Sequence, residues 1–224
     1  MPRPEFCRFV WLGTVEYLAA RALQDSLVEQ VHNGDSPATL LLLEHPHVYT
    51  RGRLSRDEHL LSSEAELAAS GIPVYETDRG GQITYHGPGQ LVGYPIVNLR
   101  DWGGPLKYVR TLEQVIVDTL GDFGIDAHTE QGLTGVWTPG GKIAAIGVKI
   151  ARGVAFHGFA ININTDLSNY RHIVPCGITD RPVTSMAVEL GEDTDAEAVR
   201  YSLVYRFARN MGMRMVEGSP EFVS

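Results

Sequence analysis

The sequence predicts an α/β or α+β domain built around a mixed β-sheet. Segments with strand-like composition and segments with helical periodicity intermix, without the regular β-α-β order of a doubly wound fold. No G-x-G-x-x-G follows a predicted strand and opens a helix, and G-x-x-x-x-G-K-[ST] is absent. Classical dinucleotide and phosphate-loop sites are therefore not expected. The 224 residues suffice for one substantial core.

The first third of the chain predicts a strand, a helix and a second strand. Residues 6–12 have the composition of a strand. Residues 15–31 place apolar side chains at helical spacing, and Thr14 is the expected N-cap. Residues 38–43 form a continuous apolar run of strand length. Such a run predicts a strand that is buried on both faces.

The middle of the chain predicts a short helix and further strands. Ser62 or Ser63 is the expected cap of a helix that ends at Gly71. Residues 73–76 and 91–97 are strand-like. They flank the segment R-G-G-Q-I-T-Y-H-G-P-G-Q at 79–90. Its glycine density predicts backbone that turns sharply or approaches a ligand closely, in a loop set into the sheet.

The remaining elements are two helices, a hairpin and a closing strand. Residues 108–123 predict an amphipathic helix, while 142–150 and 155–163 are apolar, β-branched runs that predict a hairpin. The sequence from Thr194 to Glu197 matches a capping box, which opens the last helix. Residues 213–216 predict a closing strand.

Composition excludes several classes of function. The net charge of −8 argues against general nucleic-acid binding. No window approaches the roughly 18 consecutive apolar residues of a membrane span, and the charged first ten residues do not resemble a signal peptide. Two cysteines make a disulfide framework unexpected and fit a reducing, cytoplasmic environment.

Cys176 is the candidate nucleophile. It lies between Pro175 and Gly177, on a segment that predicts a shaped turn, whereas Cys7 lies in an apolar run and is interpreted as structural. A nucleophilic cysteine needs a partner that favours the thiolate, usually histidine. The candidate histidines are His86, His157 and His172.

Lys142 is an alternative partner for the thiol. It follows two glycines and enters an apolar segment that is poor in carboxylates. Lys149 lies seven residues further on. An odd spacing predicts opposite faces of an unbulged strand, so the two lysines would share a site only if a bulge intervened, for example at Gly147.

Metal and serine chemistry have little support. The eight histidines do not form a cluster with zinc-like spacing, and no G-x-S-x-G occurs. Neither a metal nor another cofactor is expected.

Several segments together resemble the lipoyl(octanoyl) transferases, which move an octanoyl group from acyl carrier protein to lipoyl domains. The resemblance extends from about residue 9 to about residue 190. It is carried by R-G-G-Q-I-T-Y-H-G-P-G-Q at 79–90, G-V-W at 135–137, K-I-A-A-I-G-V-K-I at 142–150, H-G-F-A-I-N-I at 157–163 and P-C-G-I at 175–178, with H-P-H-V-Y-T-R-G-R at 45–53.

The resemblance implies a fold and residue roles. The fold would be one α/β catalytic domain over 1–224, similar to the catalytic domains of biotin protein ligases and lipoate ligases. Cys176 would carry the acyl group as a thioester, and Lys142 would be its general acid and base. The implied acyl-binding residues are Arg79, Gly80, Gly81, Gln82, Ile83, Thr84, Tyr85, His86, Ala145, Ile146, Gly147, Gly158, Phe159 and Ala160.

The resemblance also implies partners. Octanoyl-acyl carrier protein would be the donor, and the acceptors would be lipoyl domains of 2-oxoacid dehydrogenase complexes and the glycine cleavage H protein. Because such partners are usually acidic, docking would need a local basic face on a chain expected to be monomeric. The candidates for that face are Arg51, Arg53, Arg56, Lys149, Arg152 and Arg171. An ATP-dependent lipoate or biotin ligase and a non-catalytic binding protein remain alternatives.

Overall fold

The described part of the structure, a computed structural model, comprises residues 6–100, 102–175 and 181–222. Cys176 lies outside these ranges. The strands are β1 (Phe6–Thr14), β2 (Ala38–Glu44), β3 (Val48–Arg51), β4 (Val74–Glu76), β5 (Ile83–His86), β6 (Gln90–Asn98), β7 (Val136–Thr138), β8 (Gly141–Ala151), β9 (Val154–Asn162) and β10 (Arg214–Glu217).

These strands form a large and a small sheet. The large sheet has the order β10-β1-β2-β6-β9-β8-β7, and the small sheet has the order β4-β3-β5. In the large sheet β1 pairs in parallel with β10 and β2, while the pairs from β2 to β7 are antiparallel. In the small sheet β3 is parallel to β4 and antiparallel to β5. The predicted mixed sheet is confirmed.

Helices cover the large sheet from both sides. They are α1 (Tyr17–Asn33), α2 (Glu64–Ala69), α3 (Pro105–Gly121), α4 (Met186–Leu190) and α5 (Ala196–Met211). Helix α1 packs against β6 and β9, whereas α3 and α5 pack against each other, with α3 also contacting β7 and β8. Short 3₁₀ turns occupy Asp57–His59, Leu167–His172 and Pro220–Phe222. No helix in the described ranges is both long and apolar enough to cross a membrane.

Strand β2 is buried on both faces, as its apolar run predicts. Leu40 and Leu42 belong to the core that contains α3 and α5, and Leu41 and Leu43 belong to the core beneath α1. Side chains alternate along a strand, so one continuous apolar run supplies both layers. Cys7 is fully buried in the first of these cores, as expected for a structural cysteine.

The helix caps follow the predictions in part. Ser63 caps α2 in a reciprocal capping box with Glu66. Thr14 was predicted wrongly, because it ends β1 and α1 begins after Glu16, without a side-chain cap. The capping box at Thr194 was also wrong, since Asp195 is the N-cap of α5 and accepts from the backbone N–H groups of Glu197 and Ala198. Aspartate satisfies these donors as well as threonine would.

Strand β8 contains a bulge near its start. Val136 of β7 pairs with Ala144, but the next residue, Trp137, pairs with Lys142, so Ile143 is the extra residue. Ile143 and Ala144 consequently both face the core that contains α3 and α5. From Ala144 onward β8 pairs regularly with β9. The bulge therefore shifts the alternation, and Lys142 lies on the same face as Lys149, with Ala145 and Gly147 between them.

Candidate active site

A cleft lies between the small sheet and strands β8 and β9 of the large sheet. Helix α1 closes one side with Tyr17, and β6 contributes Tyr94. The other residues that line the cleft are Arg79, Gly81, Gln82, Thr84, His86, Ala145, Ile146, Gly147, His157, Gly158, Phe159 and Ala160. The fold thus brings together most of the acyl-binding residues that the resemblance implies, from segments about 60 residues apart.

Three of the implied residues do not line this cleft. Ile83 and Tyr85 are buried in a separate cluster with Tyr49, on the other face of the small sheet. Because side chains alternate along β5, only Thr84 and His86 face the cleft. Gly80 is also not among the lining residues; its N–H donates to the carbonyl of Val148 at 3.0 Å.

The loop from Arg79 to Gln82 bridges the two sheets. Arg79 is 8% exposed, and its guanidinium donates to Thr50 Oγ1 and O and to the carbonyl of Gly80, at 2.6–3.3 Å. A Cβ at Gly147 would lie 2.7 Å from the carbonyl oxygen of Gly80, too close for a side chain. Glycine at 147 therefore allows this loop to lie directly on β8. Arg79 therefore lines the cleft and also holds the loop against strand β3 of the small sheet.

Gly158 is required by a different close approach. Its Cβ would overlap the carbonyl oxygen of Gly93 in the neighbouring strand β6, and a Cβ at Gly93 would overlap the ring of Phe159. Glycine at both positions lets the strands and this ring pack together. The small residues of the motif thus serve backbone packing as well as the shape of the cleft.

Lys142 is buried at one end of β8, with 7% of its surface exposed. Its Nζ donates to the carbonyl of Thr134 at 3.1 Å and lies 4.9 Å from the ring centroid of Trp137. Gly135 has a φ of 132°, and a Cβ there would lie 2.7 Å from Lys142 Cε. The G-V-W segment therefore forms a close-fitting support for the lysine side chain.

Glu113 of α3 holds this support from behind. Its carboxylate is fully buried, accepts from the Gly135 N–H at 3.1 Å and pairs with Arg110 at 2.6 Å. Glu113 was not predicted from the sequence as a residue of the site. The helical spacing of α3 places Glu113 among the apolar positions that face the core. A charged residue at such a position is the signal that could have identified it.

A smaller cavity beside Lys142 shares two lining residues with the cleft. It is lined by Lys142, Thr84, Ala144, Ala145, Asn162, Tyr170, Pro175 and Val183. Thr84 and Ala145 also line the cleft, so the two spaces adjoin. Pro175 is the residue that precedes Cys176 in the sequence.

Neutral histidines form part of the cleft's polar framework. Burial lowers the pKa of His86 to about 3, and its Nδ1 lies 2.7 Å from Gln90 Oε1. Gln90 donates to Asn162 Oδ1 at 2.9 Å and to Tyr170 Oη at 3.1 Å, which connects the cleft to the smaller cavity. Burial likewise lowers the pKa of His45 to about 4; its ring bridges Val15 O and Tyr94 Oη.

The other candidate groups lie elsewhere. His157 is at the opposite end of the cleft from Lys142, and His172 Nδ1 lies 2.7 Å from Ser62 Oγ. Burial raises the pKa of the Cys7 thiol to about 12, so this cysteine is a poor nucleophile.

Four of the six basic residues considered for docking, Arg51, Arg56, Lys149 and Arg152, form ion pairs with neighbouring carboxylates. Among the described residues, no group of three or more His, Cys, Asp or Glu side chains is arranged to hold a metal ion.

Sequence comparison identifies close relatives of the chain. Residues 16–208 match the family described as the lipoyl protein ligase A/B catalytic domain. An octanoyltransferase from Solibacter usitatus is 49% identical over 214 residues, covering 95% of this chain and 96% of the relative. An octanoyltransferase from Geobacter metallireducens is 47% identical over 197 residues, covering 88% and 89%.

Solved structures share the fold at low sequence identity. A bipartite lipoate protein ligase from Thermoplasma acidophilum superposes with a TM-score of 0.73 at 19% identity, covering 96% of this chain and 87% of that one. Biotin protein ligase from Aquifex aeolicus gives 0.55 at 16% identity, covering 92% and 70%. At this identity the likeness concerns the fold alone. The family match over most of the sequence is decisive: the chain belongs to the lipoyl protein ligase A/B catalytic domain family.

Proposed function

We propose that this chain is an octanoyltransferase: an acyltransferase that moves an octanoyl group onto the lysine of a lipoyl domain, in the biosynthesis of protein-bound lipoate. The observation that carries the proposal is the position of Lys142, buried in a small cavity that adjoins a cleft whose walls come from the motifs of the family. Relatives that are 45–51% identical over most of the chain carry the name octanoyltransferase.

The first half-reaction loads the enzyme. Lys142 takes the thiol proton of Cys176, and the thiolate attacks the carbonyl carbon of the octanoyl thioester on acyl carrier protein. The new carbon–sulfur bond forms as the bond to the carrier sulfur breaks. The carrier thiolate leaves with the proton from Lys142. One thioester replaces another, so this exchange needs no ATP.

The second half-reaction transfers the acyl group to the acceptor. The neutral amine of the lipoyl-domain lysine attacks the carbonyl of the Cys176 thioester, and the Cys176 thiolate leaves. Lys142 takes the extra proton of the attacking nitrogen and returns it to the thiolate. An amide is formed at the expense of a thioester, which drives the transfer forward. The chain acts in this scheme as one catalytic domain over 1–224, as a monomer in the cytoplasm, without metal or cofactor.

Intact-mass measurement tests this proposal. After the protein is mixed with octanoyl-acyl carrier protein, one octanoyl adduct is expected, and peptide mapping should locate it on Cys176. The variant Cys176→Ser should show no thioester adduct, whereas Cys7→Ser should be loaded like the natural chain. An unmodified Cys176, or an adduct on Cys7, would contradict the proposal. Attachment that requires free octanoate and ATP would identify a ligase instead.

A further inference from the structure

Four side chains meet at the end of the cleft that is remote from Lys142. Asp78 Oδ2 lies 2.7 Å from Lys149 Nζ and 3.1 Å from Arg21 Nη2, and Asp78 Oδ1 lies 2.8 Å from His157 Nε2. Asp78, Arg21, Lys149 and His157 are called the Asp78 clasp. The clasp joins α1, β8 and β9 to the loop that carries Arg79, so it fastens three walls of the cleft to one another.

One side of the clasp is exposed to solvent, and the other side faces the cleft. The side chains of Asp78, Lys149 and Arg21 are 35%, 33% and 23% exposed, whereas His157 is almost fully buried and lines the cleft. Burial lowers the pKa of His157 to about 4, so its ring is neutral at neutral pH. Its Nε2 faces both a donor, Arg21 Nη1, and an acceptor, so either neutral tautomer is hydrogen-bonded.

The backbone of His157 is strained in a way that directs its ring into the clasp. His157 lies within β9 with a φ of 54°, a backbone conformation that residues other than glycine rarely adopt. Its N–H donates to Gln24 Oε1 at 2.9 Å, and its ring stacks on Phe156 at 5.0 Å. These contacts hold the ring on the side of α1. Strain of this kind persists where surrounding contacts enforce it, frequently at functional sites.

The cleft has a defined length between Ala145, which also lines the smaller cavity beside Lys142, and the clasp. Along β8 the face that carries Lys142 continues through Ala145 and Gly147 to Lys149. At about 3.3 Å per residue, Ala145 and Lys149 are roughly 13 Å apart. Eight carbons joined by bonds of about 1.5 Å span roughly 9–10 Å when extended. With its carbonyl beside Ala145, an eight-carbon chain fits in this interval, and a chain of twelve would reach the clasp.

We infer that the Asp78 clasp is the end stop of the acyl cleft and limits the length of the acyl chain that the enzyme transfers. The inference rests on the proposed function. A longer chain would have to displace the ring of His157 and separate Asp78 from Arg21 and Lys149. Charged groups would then be left against hydrocarbon without their partners, which is unfavourable. Acyl chains of eight carbons or fewer leave the clasp intact.

Competition between thioesters of different length tests the inference. The natural chain is given acyl carrier protein loaded with C6, C8, C10, C12 or C14 groups, and kcat/KM is measured for each. We expect a steep fall beyond C8 to C10. His157→Gly removes the ring and relieves the backbone strain, and Asp78→Asn removes the charge that holds Arg21 and Lys149. Both should raise the C12-to-C8 ratio of kcat/KM at least tenfold.

A matched control uses an ion pair of the same kind elsewhere. Asp122→Asn breaks the pair with Arg206, whose side chains are 30% and 32% exposed and lie outside the cleft. Its C12-to-C8 ratio should equal that of the natural chain. Equilibrium binding of octanoic and dodecanoic acid gives a second readout: His157→Gly should gain affinity for the longer acid selectively.

Two outcomes would overturn the inference in an active enzyme. One is an unchanged length profile in both clasp variants, and the other is an equal loss at every length, which indicates a structural role only. If the natural chain transfers no acyl group from any thioester, the proposed function fails first, and the length profile does not exist. The failures of the two proposals are therefore distinguishable.

Discussion

Lys142 and Lys149 lie on the same face of strand β8, although they are seven positions apart in the sequence. An unbulged strand would place them on opposite faces. The extra residue Ile143 inverts the alternation between them, so Lys142 lines the smaller cavity that adjoins the cleft, and Lys149 belongs to the Asp78 clasp. The bulge lies at Ile143 and not at Gly147, the position that the sequence suggested for one. One strand thereby carries both the proposed catalytic group and part of the proposed end stop.

Replacement of Lys142 should abolish most acyl loading. Lys142→Met keeps the apolar stem against Trp137 but removes the amine. We expect the rate of Cys176 acylation to fall about 100-fold or more, as is typical when a general base is removed. Stopped-flow or quenched mass spectrometry measures this rate. Lys107→Met is the control, because Lys107 is exposed. Equal rates in the two variants would remove Lys142 from the mechanism.

Gly135→Ala should impair the reaction by displacing Lys142. The new methyl group would lie 2.7 Å from Lys142 Cε, and a φ of 132° is unfavourable for alanine. We expect slower acylation, with KM for the donor nearly unchanged because the residue does not line the acyl cleft. Gly34→Ala places a methyl group at another positive φ with no atom within 4 Å, and it should lose stability only.

Glu113 should act as a positioning residue for Lys142. Glu113→Ala leaves the Gly135 N–H without its acceptor, at a cost of about 1–3 kcal/mol in unfolding free energy. We expect lower kcat, with little change in KM. Glu113→Gln retains an acceptor oxygen and should restore most of kcat. Gln114→Ala, at an exposed position of the same helix, should change neither quantity. Failure of glutamine to restore kcat would contradict this role.

Stability should fall on acidification because buried histidines are held neutral. Burial lowers the pKa of His45 to about 4, compared with about 6.5 in an unfolded chain. Between these values the unfolded chain binds a proton that the folded chain excludes. This histidine therefore contributes its full stability above pH 6.5 and loses it as the pH falls toward 4, by up to about 1.4 kcal/mol per pH unit.

Urea unfolding from pH 7.5 to 4.5 measures this effect. His45→Gln should be less stable than the natural chain at pH 7.5, because it alters the contacts to Val15 and Tyr94. The difference in unfolding free energy between the two proteins should shrink as the pH falls, since only the natural chain loses stability through protonation of His45. Parallel curves would show that His45 is not held neutral by the fold.

The cap of α5 should depend on Asp195 and not on Thr194. Asp195→Ala removes the acceptor for two backbone N–H groups and should cost about 1 kcal/mol. Thr194→Ala should have a much smaller effect, because the buried Thr194 Oγ1 has no hydrogen-bond partner among the described residues. Thermal unfolding of both variants measures the difference. A larger loss for Thr194→Ala would restore the original interpretation.

Long elements were more predictable than short ones. The apolar run of β2, the hairpin of β8 and β9, and helices α1, α3 and α5 carry periodic signals over seven or more residues. Strand β7, with three residues, and helix α4, with five, were not predicted. So few residues contain no full period of either pattern, and their structure depends on pairing with β8 or packing near Lys142.

The sequence identified most residues of the site, but it did not predict which way their side chains point. The glycine-rich segment and the lysine were identified from the sequence, and the fold brings them to adjoining cavities. The sequence could not separate Thr84 and His86 from Ile83 and Tyr85, because both faces of β5 are buried. It also did not reveal Asp78, whose partners come from three other elements.

By itself, the sequence determined the mixed α/β class, the order of the principal elements and the candidate lysine, because these depend on local periodicity and on residue types at short spacing. Only the tertiary structure decided which side chains share the cleft, that a bulge turns Lys142 and Lys149 to one face, and that Asp78 pairs with Arg21, Lys149 and His157. Such relationships depend on strand pairing and on contacts between residues as much as 136 positions apart. Periodicity along the chain carries no information about those distances.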